Sequence, residues 1–313
     1  MKHALFAYNP VSGNRFISKH IDFIIEKLQS YGVYLTVYRI PEDDTDLKEI
    51  MTDRFDLIIG SGGDGTLSQI VQVMLENRLT IPFFALGAGT SNNFTRSIDL
   101  SRSINTESQL ENIIDEVFSG STGMVDIGIV NNEKVFLTSL AGGAFVDTSY
   151  MTDKNLKLVM GPLAYYLKPF TELTALKTYD LEITVDGIKY DEKAYMFLLL
   201  NGKSVGTFSN FIDTGNISDG IMELIIIRES TTIEIANLFF SVMKGEDITR
   251  HSNVKLIRGN RFLIDSEDDI TISIDGEKGP EMPLSVEVKK GCLKVLVPKN
   301  FENRGAEDEL QGI

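Results

Sequence analysis

The chain has 313 residues, more than one ordinary core holds, so two domains are expected. A hydrophobic content of 42% and a charged content of 24% are those of a globular protein, and no apolar run is long enough to span a bilayer. The formal net charge of −15 argues against nucleic acid as a partner, and the single cysteine excludes a disulfide framework or a multi-cysteine zinc site, pointing to the cytoplasm.

In chain order, residues 3–8 are apolar and β-prone; the start is too short for a signal peptide and reads as a first strand. A turn cluster follows at Asn9-Pro10-Val11-Ser12-Gly13. Apolar residues at Ile17, Ile21, Ile24, Ile25 and Leu28 recur at helical spacing and predict a helix over 17–31. A second strand is expected over 33–40, a short helix over 46–51 and a third strand over 55–60. After the glycine run Gly60-Ser61-Gly62-Gly63-Asp64-Gly65-Thr66 come a helix over 67–77, a strand over 83–86 and an amphipathic helix over 110–118. Alternating β and α elements predict a doubly wound, largely parallel α/β sheet.

Beyond about residue 121 the pattern changes to short apolar strands with polar turns. Strands are expected at 124–130, 134–140, 180–185, 195–201, 222–227, 253–257, 261–264, 271–274, 284–288 and 293–297. Turns are expected at Val185-Asp186-Gly187, Asp275-Gly276 and Lys289-Lys290-Gly291, and long helical patterns only at 156–176 and 233–242. An antiparallel β-sandwich with helical insertions fits this pattern. The expected division is therefore an α/β nucleotide domain over 1–122, a β-sandwich over 123–298, and an acidic tail over 299–313 that packs back on the first domain or stays irregular.

The glycine run after the third strand lets backbone approach a polyphosphate, and a helix starting there favours anions. Asp64 inside it makes sense if a Mg²⁺ separates it from phosphate, and Thr66 can offer its hydroxyl. The run matches neither a P-loop nor a dinucleotide turn. Small polar loops also end the first strand and, at Gly87-Ala88-Gly89-Thr90-Ser91-Asn92-Asn93, the fourth. In a doubly wound sheet such loops converge on one crevice, which favours a nucleotide site. Asp275-Gly276-Glu277 places two carboxylates at a strand end, where one could accept a proton from an attacking hydroxyl. Alone, this tripeptide and Asp219-Gly220 read as plain turns. His3, His20 and His251 are scattered and support neither a histidine metal site nor a serine triad.

The Asn-Pro-x-Ser-Gly start, the Gly-Gly-Asp-Gly-Thr run and the Gly-Thr-x-Asn-x-Phe segment, in this order, resemble the diacylglycerol kinase catalytic domain, and most of all its soluble bacterial lipid kinases. That superfamily is shared with sphingosine kinases and, more distantly, NAD kinases. Asn201-Gly202-Lys203-Ser204-Val205-Gly206, Ile217-Ser218-Asp219-Gly220 and Ile274-Asp275-Gly276-Glu277 extend the likeness over nearly the whole chain. It implies ATP as co-substrate, held by Asn9, Pro10, Ser12, Gly13, Gly62, Gly63, Asp64, Gly65, Thr66, Gly89 and Thr90. It implies Mg²⁺ on the Asp219 side chain with the carbonyls of Asn216 and Ile221, and catalysis by Asp64, Asp275 and Glu277. Glu277 is favoured as proton acceptor with Asp275 orienting or binding metal, the reverse assignment remaining open. The sequence departs from the family pattern at Ser68-Gln69, where Asn-Glu is usual, at Asn93, where Asp is usual, and at Ile40-Pro41, where Thr commonly ends the second strand.

The expected activity is transfer of the γ-phosphate to the hydroxyl of diacylglycerol or a related lipid, drawn transiently from a membrane surface. An NAD kinase-like phosphotransferase and a non-catalytic nucleotide-binding regulator are the alternatives. The apolar stretch from Leu156 to Phe170, flanked by Lys154, Lys157 and Lys168, suits a lipid groove or interfacial helix, and equally a helix packed on the sandwich. The expected setting is the cytoplasm and the inner face of the membrane, with a homodimer allowed.

Overall fold

The computed structural model describes residues 1–41, 46–100, 104–144, 146, 177–206 and 211–301. The stretch from Lys154 to Phe170, the helical pattern over 156–176 and the tail beyond 301 lie outside the described residues. The chain forms two compact units, the first made of Met1–Ile127, Ile217–Gly220 and the chain from Lys289 onward, the second of Gly128–Asn216 and Ile221–Val288.

In the first unit, strands β1 (Lys2–Tyr8), β2 (Val33–Arg39), β3 (Leu57–Gly62) and β4 (Phe83–Gly87) form a parallel sheet in the order β2-β1-β3-β4. β1, β3 and β4 read as continuous apolar runs because they are buried over nearly their whole length. The helices are α1 (Phe16–Lys19), α2 (Ile21–Ser30), α3 (Leu47–Ile50), α4 (Asp64–Glu76), α5 (Asn93–Ser97) and α6 (Glu107–Phe118). Leu67, Ile70, Val71 and Met74 recur at helical spacing along α4, and all are buried.

The helix expected over 17–31 is broken at His20, whose φ of −120° and ψ of 23° leave the helical region. The His20 ring stacks on Phe16 at 4.0 Å, and its Nδ1 bonds the Phe16 carbonyl, so side-chain contacts hold the break. α4 starts at Asp64, earlier than expected, so Asp64, Gly65 and Thr66 form the first turn of a helix.

The second unit is the expected antiparallel sandwich. β9 (Ile188–Leu200) is its hub. Its first half pairs β8 (Tyr179–Val185), which leads to β12 (Arg261–Asp265) and then β15 (Leu284–Val297). Its second half lies between β7 (Ser139–Gly143) and β10 (Met222–Arg228), and these lead to β13 (Ile272–Ile274) with β14 (Glu277–Lys278), and to β11 (Val254–Gly259). β5 (Ser121–Val130) and β6 (Lys134–Phe136) pair at Gly128↔Phe136. The core between the layers holds Phe136, Leu140, Phe197, Phe262, Ile264 and Val286. A second core, with Leu200, Ile225, Leu238 and Ile248, lies beneath α7 (Thr232–Lys244).

The turn expected at Lys289-Lys290-Gly291 is absent. β15 runs unbroken from Leu284 to Val297, and Gly291 takes a φ of +54° inside it. Its first half pairs β12, and its second half pairs β4 in parallel at Val295↔Phe83. The strand expected over 134–140 is two pieces, parted at Leu137 and Thr138.

Candidate active site

In the first unit the structure brings together the three small loops singled out in the sequence. The Asn9 Nδ2 donates to the Thr66 hydroxyl at 3.2 Å, joining the end of β1 to the start of α4. A side chain at Gly13, where φ is +55°, would meet the Ala88 carbonyl oxygen at 2.2 Å. One at Gly89 would meet the Gly63 Cα at 2.6 Å, so the loops after β3 and β4 touch through their glycine backbones. Gly63 precedes α4 and gives it no side-chain cap. Such a start presents helix N–H groups and the positive end of the dipole to an anion. Pro10 and Ser12 sit half-buried in the first loop, Gly65 in the first turn of α4, and Thr90 is exposed after β4. Two buried polar atoms here, Ser61 Oγ at the end of β3 and Asn93 Oδ1 at the start of α5, have no hydrogen-bond partner. Bare backbone at an uncapped helix start is the kind of surface that can receive a polyphosphate.

Asp64 stands at the first position of α4. It is 8% exposed, and its two carboxylate oxygens accept the N–H groups of Asn93 and Phe94, each at 3.0 Å. It thereby satisfies the first N–H groups of α5, a short helix that the sequence pattern did not reveal. Of the positions that depart from the family pattern, Ser68 is buried in α4, Gln69 is exposed, and Asn93 is the residue whose backbone Asp64 holds.

The stretch Asn216–Ile221 carries Asp219 between its two expected carbonyl donors. Asp126 on β5, which sequence reasoning passed over, organises this stretch. Fully buried, its carboxylate accepts the Gly220 N–H at 2.5 Å and the Gly291 N–H at 2.7 Å, and its own N–H donates to the Ile217 carbonyl at 2.7 Å. Burial pushes the Asp126 carboxyl above the ordinary aspartate range; the two N–H groups pull it down and the Asp219 charge pushes it up. Gly220 takes a φ of +83° and Gly291 one of +54°, so the glycines in the Asp219 turn and in β15 are explained as partners of one buried acid. Asp126 left no sequence signal because it is a lone acid in an alternating strand.

Among the described residues no three His, Cys, Asp or Glu side chains cluster as metal ligands. A cation at Asp219 would thus be held by one carboxylate, main-chain carbonyls and the oxygens of water or phosphate. That hard, partly hydrated oxygen set is the kind Mg²⁺ takes, so the residues present fit the ion.

In the second unit the two carboxylates of the Asp275-Gly276-Glu277 turn have opposite surroundings. Asp275 is 8% exposed and accepts the N–H groups of Leu137, Thr138 and Ser139 at 2.7, 2.9 and 2.9 Å, and the Thr138 hydroxyl at 2.5 Å. Glu277 is exposed on the two-residue strand β14. Within this pair, only Glu277 is open to an incoming substrate.

Comparison with known proteins bears on the family of the chain. The model of the diacylglycerol kinase catalytic domain matches residues 3–129, and that of the YegS C-terminal NAD kinase beta sandwich-like domain matches 140–297. The chain therefore belongs to the diacylglycerol kinase family, with its catalytic domain followed by the YegS-type sandwich, and is an enzyme of the lipid kinase class. Proteins named diacylglycerol kinase from Staphylococcus epidermidis (strain RP62A) and Staphylococcus aureus (strain JH9) are each 29% identical over 305 residues, covering 96% of this chain and 94% of theirs. A solved structure described as a diacylglycerol kinase from Bacillus anthracis str. Sterne shares the fold with a TM-score of 0.70 at 16% identity, covering 96% of this chain and 98% of its own. Another from the same organism reaches 0.80 at 19%, covering 96% and 97%. The resemblance read from the motifs is thus borne out. Among the described residues no helix is long and apolar enough to cross a membrane.

Proposed function

We propose that this enzyme transfers the γ-phosphate of ATP to the hydroxyl of diacylglycerol or a closely related lipid. The observation that carries the reading is the meeting of three glycine-bearing loops at the uncapped start of α4, beside the orphaned Ser61 Oγ and Asn93 Oδ1. In this reading Asn9, Pro10, Ser12, Gly13, Gly62, Gly63, Gly65, Thr66, Gly89 and Thr90 cradle the nucleotide. Asp64 shapes that cradle by holding α5 in place.

Mg²⁺, held by the Asp219 carboxylate and the carbonyls of Asn216 and Ile221, would neutralise phosphate charge and orient the group in flight. Glu277 takes the proton of the lipid hydroxyl as the new oxygen–phosphorus bond forms and the bond to the ADP oxygen breaks. Asp275 is the orienting member of the pair, because its oxygens already accept four donors. The enzyme works as a cytoplasmic protein that visits the inner membrane face, with ATP and lipid as its partners and no role for nucleic acid; a homodimer is compatible with this reading.

The test is a kinase assay with radiolabelled ATP and Mg²⁺ against diacylglycerols and related lipids in mixed micelles, with NAD in parallel. Label in phosphatidic acid or a related lipid phosphate is the expected result. Folded protein that labels no lipid, or that yields NADP, would overturn the reading.

A further inference from the structure

We infer that Thr138 and Asn201 are positioning residues that act through Asp275 to hold the turn presenting Glu277; this rests on the reading of Glu277 as proton acceptor. Leu137-Thr138-Ser139, at the break between β6 and β7, is gripped from both sides. Its three N–H groups and the Thr138 hydroxyl all donate to the Asp275 carboxylate. On the other side, the Asn201 N–H donates to the Thr138 carbonyl at 2.8 Å, and the Asn201 Nδ2 donates to the Leu137 carbonyl at 2.9 Å. Thr138 and Asn201 are each 1% exposed, so these bonds lie out of competition with water. The return contact is the Asp275 N–H on the Ser139 carbonyl at 2.9 Å.

This grip has a definite task. Asp275 is a non-glycine residue with a φ of +48°, in the left-handed region that residues with a Cβ seldom adopt. Gly276 follows at +86°, and the two make the tight turn between β13 and β14. β14 is only two residues long and pairs β13 through Ile274↔Glu277 and Ser273↔Lys278. So short a strand does not fix its own direction. The Gly279 N–H on the Ile272 carbonyl at 2.8 Å and the Lys134 Nζ on the Lys278 carbonyl at 2.9 Å hold its far end. The near end, where Glu277 stands, is entered from the turn that the Asp275 carboxylate braces on donors Asn201 holds in register. Asn201 opens one of the segments with family likeness, and this grip gives it a physical role.

The test compares Thr138→Val, Thr138→Ser and Glu277→Gln in the mixed-micelle assay, with ATP and diacylglycerol varied separately. Thr138→Val keeps the shape and all three backbone N–H bonds but removes the hydroxyl donor. We expect kcat to fall about tenfold with KM for ATP unchanged, and Thr138→Ser to recover most of it. If Thr138→Val does not fold, as judged by its melting curve, Thr138→Ala carries the same expectation. A Thr138→Val or Thr138→Ala enzyme with wild-type kcat, or a loss that Ser does not repair, would overturn the inference. Glu277→Gln separates the two layers. If it stays fully active, Glu277 is not the acceptor and the underlying reading fails. If it is inactive while Thr138→Val is normal, that reading stands and the positioning role falls.

Discussion

Two aspartates in signature motifs, Asp64 and Asp275, spend their carboxylates on backbone N–H groups of another segment. Replacing Asp64 by Asn keeps the volume but leaves one acceptor oxygen for two donors, turning an amide NH₂ toward an N–H. The expected cost is about 1–3 kcal/mol, read from the urea midpoint, with the loss centred on α5. The residue types at both positions were legible in the sequence, as was the motif that carries each. Their direction was not, because no local pattern says which face of a turn a short carboxylate takes. Asp126 was wholly hidden, since its partners Gly220 and Gly291 are far away in sequence.

At the level of elements, local signals performed well where the element is self-contained. α7 carries a full capping box, with the Thr231 side chain accepting the Glu234 N–H and the Glu234 carboxylate accepting the Thr231 N–H. Thr231→Ala should therefore destabilise the protein by about 1 kcal/mol, measured by chemical denaturation, because α7 must stay wound to cover Leu200, Ile225 and Ile248. Signals failed where the environment overrides composition. The first half of β9, Ile188 to Lys193, is charged and largely exposed, and only its hairpin with β8 makes it a strand. Conversely, Lys289-Lys290-Gly291 has turn composition and yet lies inside one strand, where Gly291, at a φ of +54°, offers its N–H to Asp126. α5 gave no periodic signal, being a single turn whose first N–H groups are satisfied by Asp64.

For the whole molecule, Asp126 predicts a measurable pH dependence. Its folded-state pKa is raised by burial, so between the ordinary aspartate value and the raised one the folded state binds more proton than the unfolded. Its contribution to stability is thus greatest at acid pH and is lost as pH rises through that window. Carboxylates such as Glu234 and Asp247 are lowered and run the other way, losing stability as pH falls. The difference in unfolding free energy between wild type and Asp126→Asn should therefore shift against the wild type as pH rises from about 4. A difference independent of pH would mean that Asp126 titrates as an ordinary aspartate.

The course of β15 bears on how the gene can be cut. The segment matched by the catalytic-domain model ends at residue 129, yet the unit it belongs to is completed by Ile217–Gly220 and by the chain from Lys289 onward. A truncation at that point would strip β4 of its Val295 neighbour and bare an edge of Phe83, Phe84, Ala85 and Leu86. It would also leave a buried aspartate without either glycine that answers it. Such a fragment is a sticky, open-edged piece, and any shuffling of this kinase by recombination has to carry both returning segments with the first.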